Sequence, residues 1–565
     1  MRREGVERSR LSAGMRGLGA VCVLCVLCVL LWGWEAEANT RSLSLMRLVY
    51  RIRSSSAGFQ RATARQIRRQ GDVRAWPVLA GLLNMPEASM RRGAAIAFGE
   101  MGIGWTAVLL RPFVKDADVE VRLAAIRSLG MLRDSGAVSA ILEVAAQGSR
   151  AEAVLALAAL SEIGEQQARQ ALEGWTPALQ SRVGMAYSLA LASLGHTGRQ
   201  ARWEGFWKRS PQKALSHLMR WRSRWASAFL FARFQDTPAM RLAIAKGLLQ
   251  HKDRKHSRFL EDECEKKALP SDFCEGSLRR YQAEILPKMP DVPPSLFAMK
   301  QSDIAVWLEE LHKRQTEPAE RFVAITQRML GTKYVFDALG EGPTGRVDKD
   351  PIFSLEKMDC VTFLEQAMAM TQHPRLRDAV AFTQRLRYVG GQIAYEKRKH
   401  FPMLQWIPMM IREGFVEDIT RKHGGEQTRF VTKQITLQSY QSSREGRMML
   451  ERLGVANLVM GRHRLPYLPL EVAVRQAHKM RTGTIISVLV PMPSTSPFQI
   501  VHQGVVVWIN GKPYMRHATK VWNSVMDMPL VEYLQSLRRY RKPRLGVHLL
   551  QIRMALPPHL SRISP

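Results

Sequence analysis

The chain has 565 residues, 46% of them hydrophobic and 24% charged, and carries a formal net charge of +33. That length exceeds what a single hydrophobic core serves, so two or three folding units are expected, and the even spread of apolar residues excludes a disordered chain. In a cytosolic protein such a charge would point to nucleic acid; in an exported one it points to anionic lipid, anionic polymers or the acidic peptides of the cell wall.

The first 38 residues decide between these settings. Arg2, Arg3, Arg10 and Arg16 precede an apolar run from Leu18 to Trp34, which closes on Ala36-Glu37-Ala38. This is the pattern of a cleaved signal peptide, and the run falls short of the roughly 20 residues that span a bilayer. The expectation is an exported protein, periplasmic or extracellular, with no nucleic-acid partner. Cys264, Cys274 and Cys360 remain beyond the leader. In an oxidising compartment Cys264 and Cys274, close together in "ECEKKALPSDFC", are expected to pair as a disulfide. Cys360 is then the odd thiol.

From Gln60 to Gly195 a pattern recurs every 31 residues. Gly71, Gly102, Gly164 and Gly195 fall in register, with Arg133 at the missing glycine, and Ile67, Phe98, Leu129, Leu160 and Leu191 mark one earlier position in each unit. Each unit reads as a helix, a turn and a second apolar segment, so the pairs must stack to bury their apolar faces. The segment resembles the short HEAT repeats. That resemblance implies an all-α solenoid over residues 39–195, a docking surface for a protein partner with no chemistry of its own.

Residues 196–286 continue as a basic, aromatic helical extension in which Trp203 and Trp207, and Trp221 and Trp225, are spaced by four and share a helical face. Such a stripe reads first as core, and second as a grip on an anionic membrane or polymer surface. Pro287, Pro290, Pro293 and Pro294 then mark a linker over residues 287–295.

Residues 296–565 change to mixed helix and strand. In "MDCVTFLEQAMAM", Val361, Leu364, Ala367 and Met368 share one helical face, which puts Cys360 in the first turn with Asp359 as N-cap. The positive end of the helix dipole is expected to favour thiolate over thiol there. Downstream, Asn510-Gly511 between two β-rich runs marks a two-residue hairpin turn. Pairing Ile509 with Lys512 brings Val507 opposite Tyr514, Val505 opposite Arg516 and Gly504 opposite His517. His502 and His517 then share one sheet face as diagonal neighbours, with Gly504 leaving room between them. This suits a base, His502, held by a third polar group, His517. No further ligand lies at metal spacing on these strands, so neither a metal nor a cofactor is expected.

Eight motifs occur in order here: "LGTKYVFDAL", "MDCVTFLE", "IAYEKRKHFPMLQW", "EDIT", "YLP", "GTII", "IVHQGVVV" and "RHAT". From Arg321 to near Leu534 the chain resembles the N-acetylmuramoyl-L-alanine amidase-like cysteine hydrolases, a branch of the NlpC-type, papain-like superfamily. The resemblance implies an α+β papain-like domain with Cys360 as nucleophile, His502 as base and His517 as third member. It also implies that Tyr334 stands near the oxyanion and that Arg398, His400 and Trp406 line the substrate cleft. Lys333 stands where the family usually has proline, and Thr484 where it usually has aspartate. The implied reaction is cleavage of an amide bond in peptidoglycan or muropeptides, foremost that between N-acetylmuramic acid and L-alanine. The rival readings are a stem-peptide endopeptidase and a non-catalytic, exported HEAT-repeat binding scaffold.

Overall fold

The computed structural model describes residues 51–53, 56–174, 177–219, 221, 223–251, 254–284, 289–540 and 544–553. The expected signal peptide lies outside them. The N-terminal part of the described chain is helical, and the C-terminal part is a mixed α/β domain.

The 31-residue period is written directly into the helices. Long helices start at Ala57, Ala88, Val119 and Arg150, and a fifth runs from Pro177 to Ser193. They end on left-handed residues in register: Gly71 (φ 64°), Gly102 (71°), Arg133 (56°), Gly164 (83°) and Gly195 (91°). Glycine takes this conformation without steric cost, whereas a side chain there costs about 1–2 kcal/mol, which Arg133 must bear. Shorter helices return between them, at Ala75–Leu83, Val138–Gln147 and Gln166–Glu173. Successive long helices pack side by side. They pack closely enough that a Cβ added at Gly130 would lie 3.0 Å from the Ala159 Cα. Arg91 and Arg122 stand one period apart, and each is paired with a carboxylate, Arg91 with Asp116 at 2.8 Å and Arg122 with Glu152 at 2.7 Å.

Helices continue without the period from Thr197 to Glu284. Trp203, Trp207 and Trp221 are 2–5% exposed, and Trp225 packs on Phe229. The aromatic stripe is therefore core, which corrects the second reading: these rings are not presented to a membrane or polymer surface. Cys264 and Cys274 are bonded to each other, with Cα atoms 5.9 Å apart, and Cys360 is a free thiol. Among the described residues no helix is long and apolar enough to cross a membrane.

The C-terminal domain is built on ten strands: β1 Lys333–Tyr334, β2 Lys357–Met358, β3 Val416–Asp418, β4 Arg429–Ile435, β5 Gly461–Pro469, β6 Thr484–Leu489, β7 Ile500–Ile509, β8 Lys512–Thr519, β9 Ser524–Pro529 and β10 Gly546–Ile552. Their order is β2-β1-β9-β8-β7-β6-β10-β5-β4, with β3 also pairing β10. The helix Cys360–Gln372 packs on β7 and β8. Its Phe363, Leu364 and Ala367 share a buried cluster with Val505, Val507 and Ala518. On the other face, Leu530, Tyr533 and Leu534 cover Val506 and Met515.

The two parts are joined by a packed, hydrogen-bonded seam. Trp522 and Met526 of the sheet domain complete the core of the helical repeats. The Ser524 hydroxyl donates to the Pro77 carbonyl at 2.9 Å, and Asn523 Nδ2 donates to the Asn84 carbonyl at 3.1 Å. A Cβ added at Gly81 would overlap the Trp522 carbonyl, and one at Gly331 would overlap Trp76, so both positions need glycine for close approach. The proline-rich segment lies against the repeats, where its Val292 carbonyl accepts from the Trp105 indole at 2.9 Å.

Candidate active site

Cys360 stands where its local sequence puts it. Asp359 is extended, and its Oδ1 accepts from the Val361 and Thr362 amides at 3.0 and 2.8 Å, while the Thr362 hydroxyl accepts from the Asp359 amide at 2.9 Å. This capping box fixes Asp359 as the N-cap and so makes Cys360 the first residue of the helix.

The histidines come from the hairpin. Asn510 and Gly511 have φ of 49° and 73°, the double positive φ of a tight hairpin turn, and the pairs Ile509–Lys512, Val507–Tyr514 and Val505–Arg516 follow from it. His502 Nε2 and His517 Nδ1 lie 2.7 Å apart. A Cβ on Gly504 would fall 2.7 Å from the His517 Cβ and 3.0 Å from the Arg516 carbonyl oxygen, so glycine there is a requirement of the site.

The thiol is placed by its neighbours. The amide of Gln503, the residue after His502, leans on the sulfur. Tyr533 lies 5.2 Å from the His517 ring and 6.5 Å from the His502 ring, and burial, with Tyr540 and Cys360 nearby, raises its hydroxyl. Tyr334 on β1 also lies near Cys360 and Asp359. Among the described residues no hydrogen bond joins the thiol to either imidazole. Catalytic hydrogen bonds are commonly loose without substrate and tighten on binding.

The electrostatics depart from the expectation of a ready thiolate. Burial, helped by the Asp359 carboxylate, pushes the Cys360 thiol up to about 12, and the Gln503, Cys360 and Val361 amides only partly oppose this. Desolvation of the charge outweighs the helix terminus. Burial, with a contribution from Arg544, pulls His502 down to about 4, and burial also holds His517 well below its ordinary value. The resting pair is thus a neutral thiol and a neutral imidazole. Burial raises the Tyr334 hydroxyl as well.

The other expected residues divide. Burial opposes the charge of Arg398, but Asp337 holds its guanidinium above the usual value; it contacts Asp337 at 2.9 Å and Asp348 at 3.1 Å. His400 Nε2 donates to the Tyr395 carbonyl at 2.7 Å, and burial pulls it down to about 4. Trp406 is 1% exposed and its indole donates to Glu365 Oε1 at 3.1 Å, while Glu365 is paired with buried Arg387. The cleft-lining role expected of Trp406 is corrected: it is a core residue satisfying a buried carboxylate. Tyr533 and Arg544 went unread in the sequence. Leu530, Tyr533, Leu534 and Leu537 have ordinary core spacing, and nothing local marks Arg544.

Residues 324–539 match the family model described as AmiA-like, N-acetylmuramoyl-L-alanine amidase-like. The amidase-like segment omits β10, although that strand lies in the middle of the sheet. Similar solved structures include a Legionella pneumophila protein under the family model DUF1460, with 22% identity, TM-score 0.40, and coverage of 45% of this chain and 95% of that one. They also include an N-acetylmuramoyl-L-alanine amidase from Bacteroides uniformis, with 19% identity, TM-score 0.32, and coverage of 42% and 99%. A third is the CpcE–CpcF complex of phycocyanin lyase from Nostoc, with 20% identity, TM-score 0.28, and coverage of 42% and 93%. No curated protein matches the chain.

Proposed function

We propose that the amidase-like segment is a papain-like cysteine hydrolase that cleaves an amide bond of peptidoglycan fragments, foremost the bond between N-acetylmuramic acid and L-alanine. The observation that carries this reading is the 2.7 Å contact between His502 Nε2 and His517 Nδ1, with the amide of the next residue, Gln503, on the sulfur of a cysteine at a capped helix start.

The tautomers follow from that contact. If His502 is to take a proton on Nδ1, it must carry its own hydrogen on Nε2 and donate it to His517 Nδ1. Because the resting thiol is neutral, its proton moves to His502 Nδ1 as the sulfur attacks the carbonyl carbon. The new carbon–sulfur bond pushes the carbonyl electrons onto oxygen. Among the described residues the Cys360 amide has no acceptor beyond its own sulfur, and it is the natural donor to that oxyanion. Collapse expels the amine, which takes the proton from His502, and water then hydrolyses the thioester. Tyr334, near Cys360, is assigned to the oxyanion side, while Arg398 and His400 hold the neighbouring loop. Export to an oxidising compartment accords with the bonded Cys264–Cys274 pair. The stacked repeats serve in this reading as HEAT-type scaffolding for the catalytic domain.

The test is the identity of the products. Mass spectrometry of a defined muropeptide after digestion should show a free lactyl carboxylate on the sugar and a peptide beginning with free L-alanine. A cut only between stem-peptide residues would replace this reading with an endopeptidase, and an intact substrate would leave a binding scaffold.

A further inference from the structure

We propose that the cavity between the first helical repeats and the β7–β8 hairpin binds a short acidic peptide. The cavity has a volume of about 810 Å³, within the range of about 300–1,000 Å³ typical of small-ligand sites and too confined for a nucleic-acid duplex. It is separate from the thiol and histidines described above. Its apolar wall comes from Val73 and Trp76 of the repeats, Val292 and Pro293 of the proline-rich segment, and Leu330 and Ile509 of the sheet domain.

The charges on that wall do not balance. Asp72 is engaged by Arg74 at 2.6 Å, and Asp527 by Arg516 at 2.7 Å, so both carboxylates lining the cavity are already taken. Arg69, Arg328 and Lys512 also line it, and among the described residues none of the three has a carboxylate partner. Arg328 lies over the Trp307 ring at 5.1 Å and its Nη2 contacts Met299 Sδ at 2.9 Å, so its charge is held by an aromatic face and a thioether rather than by an anion. The three cations come from different elements, Arg69 from a repeat, Arg328 from the helix Pro318–Arg328 and Lys512 from the hairpin. A ligand that meets them therefore carries separated anionic groups on a partly apolar frame. Carboxylates along a short peptide satisfy both conditions; a compact phosphate meets the charge but not the apolar wall. That the peptide is a peptidoglycan stem peptide rests on the function proposed above.

The experiment uses the full chain with Cys360→Ala, so that nothing turns over, titrated calorimetrically with L-Ala-γ-D-Glu-meso-diaminopimelate. Arg69 and Lys512 are exposed and have no carboxylate partner among the described residues, so Arg69→Gln with Lys512→Gln should leave the fold intact by circular dichroism. The expected result is binding by the parent that falls at least tenfold in the double variant and weakens with salt, while tri-alanine does not bind. Unchanged affinity in the double variant, or no binding by the parent at millimolar peptide, overturns the proposal. Equal or tighter binding of tripolyphosphate with the same dependence on Arg69 and Lys512 overturns the peptide assignment. Muropeptide turnover by the double variant with Cys360 restored reports separately on the hydrolase. Absent turnover with intact cavity binding would sink that reading and leave this one standing.

Discussion

Gly504→Ala is the smallest change that attacks the histidine pair without touching either ring. The added methyl group would sit 2.7 Å from the His517 Cβ, where ordinary contacts begin at 3.4 Å, so β7 and β8 must part locally by about 0.7 Å. The Met515 methyl, 2.4 Å away, is the end of a flexible side chain and can swing aside, whereas the His517 Cβ and the Arg516 carbonyl oxygen are fixed by the strand. Applied to the 2.7 Å contact between His502 and His517, the same displacement stretches it to the outer limit of a hydrogen bond. Overpacking of this kind costs about 1–3 kcal/mol of stability. Misplacing a catalytic group by about 1 Å costs up to about 100-fold in rate, so a loss of about 10- to 100-fold in kcat/KM is expected. Urea unfolding and muropeptide kinetics on the same preparation separate the two effects. Wild-type kcat/KM in a destabilised but folded variant would refute the claim that the pair must stay in register.

The remaining expectations concern the same site and its surroundings. His517→Gln should retain measurable cleavage, because an amide can still accept the His502 hydrogen, while His502→Gln should be nearly inactive. The reverse order of kcat/KM would assign the base to His517, and recovery of both with zinc would indicate a metal site. With His502 pulled down to about 4 and the thiol pushed up to about 12, kcat/KM should stay flat from about pH 6 to 9. An acid limb near pH 6.5 would show an ordinary, solvated imidazole. Stability has its own sign: His502 is depressed in the fold, so the unfolded chain binds the extra proton, and stability falls as pH drops from 6.5 towards 4. The loss from this residue is on the order of 3 kcal/mol, and urea midpoints that do not fall across this window would contradict it. The 10-residue separation of Cys264 and Cys274 predicts a loss of about 3 kcal/mol on reduction. One free thiol, Cys360, should titrate in the denatured, non-reduced chain without its first 38 residues; three would exclude the disulfide.

What the sequence made legible was local or periodic. A 31-residue repeat announces its turns because each demands a left-handed residue, and even Arg133 obeys the register. The hairpin was readable because Asn510-Gly511 fixes the pairing, and pairing fixes the relation of His502 to His517. The thiol's ionisation was not readable: Asp359 and the helix start are local, but the burial that overrules them comes from packing of distant segments. Trp406 illustrates the same limit, since its partner Glu365 lies 41 positions away. The seam between repeats and sheet domain rests on single glycines, Gly81 and Gly331, and on backbone carbonyls, which leave no pattern in composition.

The central claim is that Cys360 supplies the nucleophile, and the most direct measurement is turnover by Cys360→Ala. Alanine suits the first turn of a helix, and the Asp359–Thr362 capping box does not involve the thiol. The variant should therefore fold as the parent does by circular dichroism and urea unfolding. On one defined muropeptide its cleavage, followed by mass spectrometry, should fall below detection; cleavage within tenfold of the parent would contradict the account.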